Sequence, residues 1–150
     1  MEKVDRKGVK RQIYIGLDPG THTGIAVWDK TSRRLEMVDT MTITKAMEIV
    51  KANVELVKSF GGEVVVIFED ARKRSWFGHT SRERLQGAGS VKRDCAIWEN
   101  FCEELGVEYS KVAPKHNTTK LTAAQFKVLT GWQGRTSEHA RDATMLVFGR

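Results

Sequence analysis

The chain has 150 residues, 40% of them hydrophobic, which is enough for one domain with a substantial core and too little for two. No apolar stretch approaches the roughly 18 residues that a membrane-spanning helix needs, and segment 1–11 is charged and lacks the apolar core of a signal peptide. A formal net charge of +6 favours a polyanionic partner, of which nucleic acid is the commonest, although many basic proteins bind none.

The N-terminal segment bears on where the domain begins, and the two cysteines bear on the cell compartment. Segment 1–11 is expected to be a flexible lead-in to a single domain over 12–150; a basic arm that touches phosphates is the alternative. Cys95 and Cys102 lie in one predicted helix, where a rise of about 1.5 Å per residue separates their Cα atoms by roughly 10 Å. A disulfide tolerates about 7 Å, so we expect buried thiols in a reducing, cytoplasmic environment.

The first half of the chain has the pattern of an antiparallel meander followed by a helix and a buried strand. An apolar run ends at Asp18, and the turn Pro19–Gly24 returns the chain alongside it. Apolar residues at helical spacing continue as far as Gly61-Gly62, which predicts a helix that ends there. The next run is apolar throughout, which predicts a central strand. The predicted elements are strands at 13–18, 25–28 and 35–43, a helix at 44–60 and a strand at 64–68.

In the second half, glycine and proline separate three helical segments and one strand. Gly87-Ala88-Gly89 is interpreted as the start of a helix that ends at Gly106, and Pro114 closes the following strand. The predicted elements are helices at 87–105, 118–130 and 137–148 and a strand at 107–113. The order β-β-β-α-β-α-β-α-α predicts one mixed sheet flanked by helices.

Acidic residues at two strand ends and on the last helix suggest a metal site. Asp18 and Glu69 each end a buried strand, where a carboxylate is costly unless something binds it. His139 and Asp142 are three residues apart and share a helix face, with Glu138 as a second candidate beside them. Such donors suit Mg²⁺, and two cations about 4 Å apart can promote phosphodiester hydrolysis. Considered one at a time, Asp18 could be a turn former and Glu69 a cap. His139 and Asp142 could form a solvated helix face.

A basic segment with interleaved aromatic residues lies between residues 72 and 93. Seven basic side chains there are opposed only by Glu83, so phosphates could be neutralised while bases or sugars pack on the aromatic rings. The alternative is a solvated loop followed by an exposed helix face. The candidate nucleic-acid-binding residues are Arg72, Lys73, Arg74, Trp76, Phe77, Arg82, Arg84, Lys92 and Arg93.

Several of these motifs resemble one known family. Ile15–Gly20 (Ile-Gly-Leu-Asp-Pro-Gly) together with Gly24 resembles the opening motif of the RuvC-like Holliday junction resolvases, which belong to the ribonuclease H-like superfamily. Ile67-Phe68-Glu69 resembles the second acidic strand of that family, and Gln86–Gly89 is similar to its glycine-containing helix start. His139–Ala143 resembles the terminal helix. The motifs occur in the family's order along nearly the whole chain.

The resemblance implies a ribonuclease H-like fold, with a five-stranded mixed sheet of three antiparallel strands and then two parallel ones, flanked by helices. It implies a homodimer that makes symmetric nicks in branched DNA such as a four-way junction, with two Mg²⁺ or Mn²⁺ ions per active site. It implies 5′-phosphate and 3′-hydroxyl products, and neither a nucleotide cofactor nor a membrane partner.

By position in the motifs, the resemblance also assigns residues. Asp18, Glu69, His139 and Asp142 are the implied metal-site residues, with His139 as a ligand or as the group that orients or deprotonates water. Lys120, expected in the helix after the fifth strand, matches a basic position suited to the scissile phosphate, although it could be a surface lysine. Gln86 and Lys120 therefore join the candidate nucleic-acid-binding residues.

One departure from the family pattern bears on junction selectivity. Family members often carry an aromatic residue a few positions after the second acidic residue, where this chain has Arg72; its aromatic residues come later, at Trp76 and Phe77. We nevertheless predict a structure-selective DNA endonuclease, whose small size suits a phage or mobile-element enzyme in a bacterial cytoplasm.

Three alternatives remain open from the residues. One is a ribonuclease H-like nuclease that cuts pre-ribosomal RNA or an RNA–DNA hybrid, and another is a non-catalytic nucleic-acid-binding module that keeps the basic face. The third is an ATP-binding protein of the actin-like and sugar-kinase class, whose phosphate loop Asp18–Thr21 fits. That class needs a second domain to close over the nucleotide, for which the chain has no room.

Overall fold

The computed structural model describes residues 10–70, 72, 82–114 and 120–150, and it leaves the side chains of 82–88 and 91 undescribed. The elements are β1 (Gln12–Asp18), β2 (His22–Asp29), β3 (Arg34–Thr42), α1 (Ile43–Ser59), β4 (Glu63–Glu69), α2 (Arg82–Leu105), β5 (Glu108–Val112), α3 (Ala123–Thr130) and α4 (Glu138–Met145). Within the described ranges, none of the helices combines the length and the apolar character required to cross a membrane.

The strands form one five-stranded sheet in the order β3-β2-β1-β4-β5. The pairs β1–β2 and β2–β3 are antiparallel, whereas β1–β4 and β4–β5 are parallel. The predicted mixed α/β sheet, with three antiparallel strands and then two parallel ones, is therefore confirmed. β1 is the central strand, and β4 lies inside the sheet between β1 and β5.

The two faces of the sheet carry different helices. Side chains alternate along a strand, so residues two apart share a face. On one face α1 and α2 cover the larger core, to which β1 and β4 contribute Ile13, Ile15, Leu17, Val64, Val66 and Phe68. On the other face α4 packs against a smaller cluster that includes Tyr14, Val65 and Ile67. By the same alternation, Asp18 and Glu69 project on the α4 face.

Two glycines let α4 lie directly on the sheet. A Cβ at Gly24 would stand 2.0 Å from the carbonyl oxygen of His139, and one at Gly16 would stand 2.2 Å from that of Ala143. Gly24 pairs with Asp18 across the β1–β2 ladder, so the close approach occurs beside the end of β1. The absence of two side chains therefore brings the start of α4 to Asp18.

The buried thiols agree with the sequence prediction. The thiols of Cys95 and Cys102 are buried in the larger core, and Trp98 between them is fully buried in the same cluster. Burial raises the pKa of the Cys102 thiol to about 12. This thiol is therefore a small apolar core group at neutral pH.

Most predicted boundaries differ from the structure by one to five residues, among them those of β2, β3 and α2. β2 begins at His22 instead of at residue 25, because Thr23 is buried and its hydroxyl donates to the Gly20 carbonyl 2.7 Å away, which shortens the turn. β3 ends at Thr42, whose side chain caps α1. α2 begins at Arg82, five residues before the predicted Gly87. A glycine inside a helix costs only about 1 kcal/mol, so it does not by itself mark a boundary.

The last two helices are shorter than predicted. α3 begins at Ala123 instead of residue 118, because Thr122 and Gln125 form a capping box that starts the helix there. Lys120 consequently lies in the coil before α3 and not in a helix. α4 ends at Met145 instead of residue 148. The chain then continues in turns whose hydrogen bonds join residues three apart, such as the Leu146 N–H and the Ala143 carbonyl.

Candidate metal centre

Asp18 and His139 are in contact at the end of β1. The Nδ1 atom of His139, in the first turn of α4, lies 2.9 Å from Oδ2 of Asp18. Ser137 caps this helix by accepting the Ala140 N–H at 3.1 Å, and its hydroxyl also contacts that of Thr40 on β3. The first turn of α4 is thus attached to the sheet at two points, which orients the imidazole toward Asp18.

The surroundings of Asp18 disfavour its negative charge. Burial raises the pKa of this carboxyl above its usual value, the hydrogen bond and charge of His139 lower it, and the Asp142 carboxylate raises it again. The net effect is a raised pKa. A divalent cation between these groups would relieve both the burial of charge and the repulsion between the carboxylates.

A second set of contacts links Lys120 with two acidic residues of α4. The Lys120 ammonium contacts Oε1 of Glu138 and lies 3.5 Å from Oδ2 of Asp142. Glu138 is the main cause of the raised pKa of Lys120, and Lys120 in turn lowers the pKa of Glu138. The predicted phosphate-binding lysine therefore stands at the predicted metal ligand Asp142.

Glu69 reaches the same end of the sheet by strand register. Leu17 pairs with Phe68 in the parallel β1–β4 ladder, so Asp18 and Glu69 follow on neighbouring strands, which lie about 4.8 Å apart. Both project on the α4 face. The Glu69 carbonyl also accepts a weak hydrogen bond from the Cys95 thiol at 3.5 Å, which ties the end of β4 to α2.

The predicted ligands lie near the same end of the sheet. In the part of the chain that the structure describes, no group of three or more His, Cys, Asp or Glu side chains is close enough together to hold an ion. The donors nevertheless suit Mg²⁺ or Mn²⁺ in kind, being carboxylates with one imidazole, and burial raises the pKa of the Asp18 carboxyl. The residues fit a site that a cation would draw together.

An ion-pair network that the sequence did not predict lies directly after Glu69. Arg72 donates to both carboxylate oxygens of Asp70 at 2.8 Å and also contacts Glu99 of α2, to which Lys111 of β5 donates at 3.1 Å. The hydrogen bond from Arg72 lowers the pKa of Asp70, whose side chain is buried. Arg72 thus joins β4 to α2, and its predicted contact with nucleic acid stays a prediction.

We expect Asp70→Asn to lower the free energy of unfolding by about 2 kcal/mol at neutral pH, because the paired charge-assisted hydrogen bonds are lost from a buried group. The pKa of Asp70 is lowered in the folded state. The stability that its carboxylate contributes is therefore complete above the unfolded pKa of about 4 and is lost as the pH falls through the folded pKa. Urea unfolding of both proteins from neutral to acidic pH should show the gap closing below about pH 4. Asp39→Asn, at an exposed residue, is the control; a gap that does not change with pH would contradict a role for the charge.

The other predicted nucleic-acid-binding residues are described to different extents. Lys92 and Arg93 are exposed on α2, where the Arg93 guanidinium lies 3.3 Å from the Ser90 hydroxyl. The backbone of α2 includes Arg82, Arg84 and Gln86, but their side chains are outside the described part. The remaining predicted contacts, which also lie outside the described residues, are Lys73, Arg74, Trp76 and Phe77.

Two structural features of the candidate centre were not predicted from the sequence. Arg141 donates from Nε to the Leu121 carbonyl at 2.9 Å and from Nη1 to the Thr136 carbonyl at 2.8 Å, which holds the segment next to Lys120 against α4. Nothing in the sequence singles out this arginine. Ser137 does carry a readable signal, since a serine immediately before a helix is a common N-cap.

Comparison with known proteins does not assign the chain to a family. No protein-family model matches it, and no curated protein matches it in sequence. The residues and contacts of the centre are therefore the grounds for a functional proposal.

Proposed function

We propose that this protein is a divalent-cation-dependent, structure-selective endonuclease of the RuvC-like class that cuts branched DNA such as a four-way junction. The observation that carries the proposal is the contact between Asp18 and His139, with Asp142 and Lys120 beside it. Strand β1, the coil before α3 and helix α4 are distant in sequence, and each contributes a residue of the type that phosphodiester hydrolysis requires.

The residues have separate roles in this proposal. Asp18, Glu69 and Asp142 would hold Mg²⁺ or Mn²⁺, with His139 as a further ligand or as the group that orients water or takes its proton. When bound, such ions supply an activated water and neutralise charge on the phosphate. Lys120 would contribute a positive charge at the scissile phosphate, and the carboxylate of Asp18 is held rigidly by the central strand.

The fold and the charge support the same reading. A five-stranded sheet with three antiparallel strands and then two parallel ones is what the ribonuclease H-like resemblance implies. The net charge of +6 favours association with a polyanion. Symmetric nicks in a four-way junction would require two active sites, and the proposal therefore includes a homodimer.

The test is a Mg²⁺-dependent cleavage assay on a labelled four-way junction. Linear duplex, a flap, a splayed fork and an RNA–DNA hybrid are assayed in parallel. Symmetric nicks confined to the junction would support a resolvase. Cleavage of the hybrid or of RNA would agree with the proposed metal centre but contradict the proposed DNA substrate. Tight junction binding without any cleavage would indicate a binding module instead of a nuclease.

The basic segment gives a prediction about binding. Lys73→Ala with Arg74→Ala is expected to weaken junction binding and to reduce the slope of log K against log salt by about 1.8, since each phosphate contact contributes about 0.9 on duplex DNA. Binding is measured by fluorescence anisotropy over a salt series. Lys51→Ala with Lys58→Ala, two exposed lysines of α1, is the matched control. An unchanged slope would remove Lys73 and Arg74 from the interface.

A further inference from the structure

The Lys120 ammonium is shared unequally between two carboxylates. It makes its closer contact with Glu138, whose side chain is 53% exposed, and stands 3.5 Å from Asp142, whose side chain is 32% exposed. Asp142 is also one of the carboxylates that the proposed cation requires. Any cation at Asp142 must therefore compete with, or displace, the charge of Lys120.

Hydrogen bonds from α4 and from the start of α3 hold the backbone next to Lys120. The carbonyl of Leu121 accepts a hydrogen bond from Arg141, and the capping box of Thr122 fixes the next residue at the start of α3. The lysine side chain itself is 64% exposed. A lysine ammonium is a compact charge on a flexible side chain, so its position is set by the carboxylates within its reach.

Glu138 competes with Asp142 for this charge. It is the first residue of α4, and its position next to His139 places it beside the centre without contact to Asp18 in the described structure. If Glu138 were neutral, Asp142 would be the remaining carboxylate among the described residues in contact with the ammonium, and the lysine would neutralise it more fully. The glutamate thus draws the lysine away from the ligand.

We propose that Glu138 is a positioning residue, which accepts the Lys120 ammonium and thereby keeps the Asp142 carboxylate open to a divalent cation. The inference rests on the proposed metal centre and adds a role for a residue outside its ligand set. Glu138 acts on the cation through Lys120 and not as a ligand. That distinction can be measured on the protein without substrate.

The experiment is a titration of the protein with Mn²⁺ by isothermal calorimetry, in a cycle of wild type, Glu138→Gln, Lys120→Gln and the double variant. We expect Lys120→Gln to raise Mn²⁺ affinity about fivefold, because a competing exposed ion pair is removed. Glu138→Gln should lower the affinity about threefold in the wild-type background. In the Lys120→Gln background the same change should have less than about a twofold effect.

Each other outcome has a defined meaning. If Glu138→Gln weakens Mn²⁺ binding equally in both backgrounds, Glu138 is itself a ligand and the positioning role is overturned. If Lys120→Gln leaves the affinity unchanged, the competition is overturned while the metal centre stands, provided that Asp18→Asn abolishes Mn²⁺ binding. Absence of Mn²⁺ binding in both wild type and Lys120→Gln overturns the proposed function together with the inference.

A matched control separates local from general charge effects. Glu55→Gln removes the same charge from an exposed position of α1, which packs on the opposite face of the sheet from α4. Its effect on Mn²⁺ affinity should be negligible, because charges farther apart than about 10 Å are largely screened at ordinary ionic strength. A loss equal to that of Glu138→Gln would show that net charge, and not the Lys120 contact, governs the affinity.

Discussion

Asp18→Asn is expected to abolish divalent-cation-dependent cleavage of a four-way junction while leaving junction binding close to that of the wild type. A bound cation that polarises the phosphate and activates water supplies several kcal/mol of transition-state stabilisation. Losing about 4 kcal/mol corresponds to a rate decrease of about 10³-fold. Binding is spared because phosphate contacts are made by basic groups and not by this carboxylate.

The same substitution should stabilise the protein in the absence of metal. The pKa of Asp18 is raised in the folded state, so its ionised form costs stability at neutral pH, and that cost disappears as the pH falls and the carboxyl takes up a proton. An asparagine removes the charge and can still bond to the His139 ring 2.9 Å away. A higher Tm combined with lost cleavage would identify a site where stability is lower for the sake of function.

Single-turnover cleavage and junction anisotropy on the same preparations measure both effects, with calorimetry in EDTA for the Tm. Asp39→Asn makes the same chemical change at an exposed position of β3, next to Val38, which packs on the α4 side in a cluster with Ala140. Strand alternation turns Asp39 to the other face, so cleavage should be unaffected. Near-normal cleavage by Asp18→Asn would remove this residue from the active site.

Gly24→Ala is expected to destabilise the protein by about 3 kcal/mol and to abolish cleavage as well. The new methyl would meet the carbonyl oxygen of His139 at 2.0 Å and its carbonyl carbon at 2.3 Å, both of which belong to the backbone of α4. No rotamer change can relieve such a contact, so the helix must move away from the sheet. His139 and Asp142 would then move with it, away from Asp18.

Thermal and urea unfolding measure this effect, and a Tm lower by about 6 °C or more is expected for a chain of this size. Gly89→Ala in α2 is the control, since a Cβ there meets nothing within 4 Å in the part of the chain that the structure describes, and alanine favours the helix by about 0.5–1 kcal/mol. A Tm equal to that of the wild type in Gly24→Ala would mean that α4 tolerates the methyl and is not held against β2 by close contact.

Much of the fold is readable from local pattern. Each apolar run predicts a strand, because a buried strand shows continuous apolar residues and a short turn between two runs forces antiparallel pairing. Asp18 and Glu69 can be singled out from the same pattern, since burying a carboxylate at the end of such a run costs free energy unless a partner binds it. The boundaries of α2 and α3 are less readable, because glycine is only a weak stop signal and the start of α3 depends on the capping box at Thr122.

The partners within the centre depend on tertiary structure. Asp18 and His139 are 121 residues apart, and Lys120 and Glu138 are 18 apart. The spacing of His139 and Asp142 places them on one helix face, but it does not say which strand that face contacts or which basic group reaches it. Arg72 illustrates the same limit, since its pairing with Glu99 across 27 residues requires α2 to lie over the end of β4.

Local sequence patterns thus predict the strands, the antiparallel pairing of the first three and the candidate ligands, because burial periodicity and turn chemistry act over a few residues. The packing of α4 on Gly16 and Gly24 decides that Asp18 and His139 meet, with 2.9 Å between them. That contact depends on the shapes of two surfaces far apart in the chain, and close packing transmits any change in one to the other.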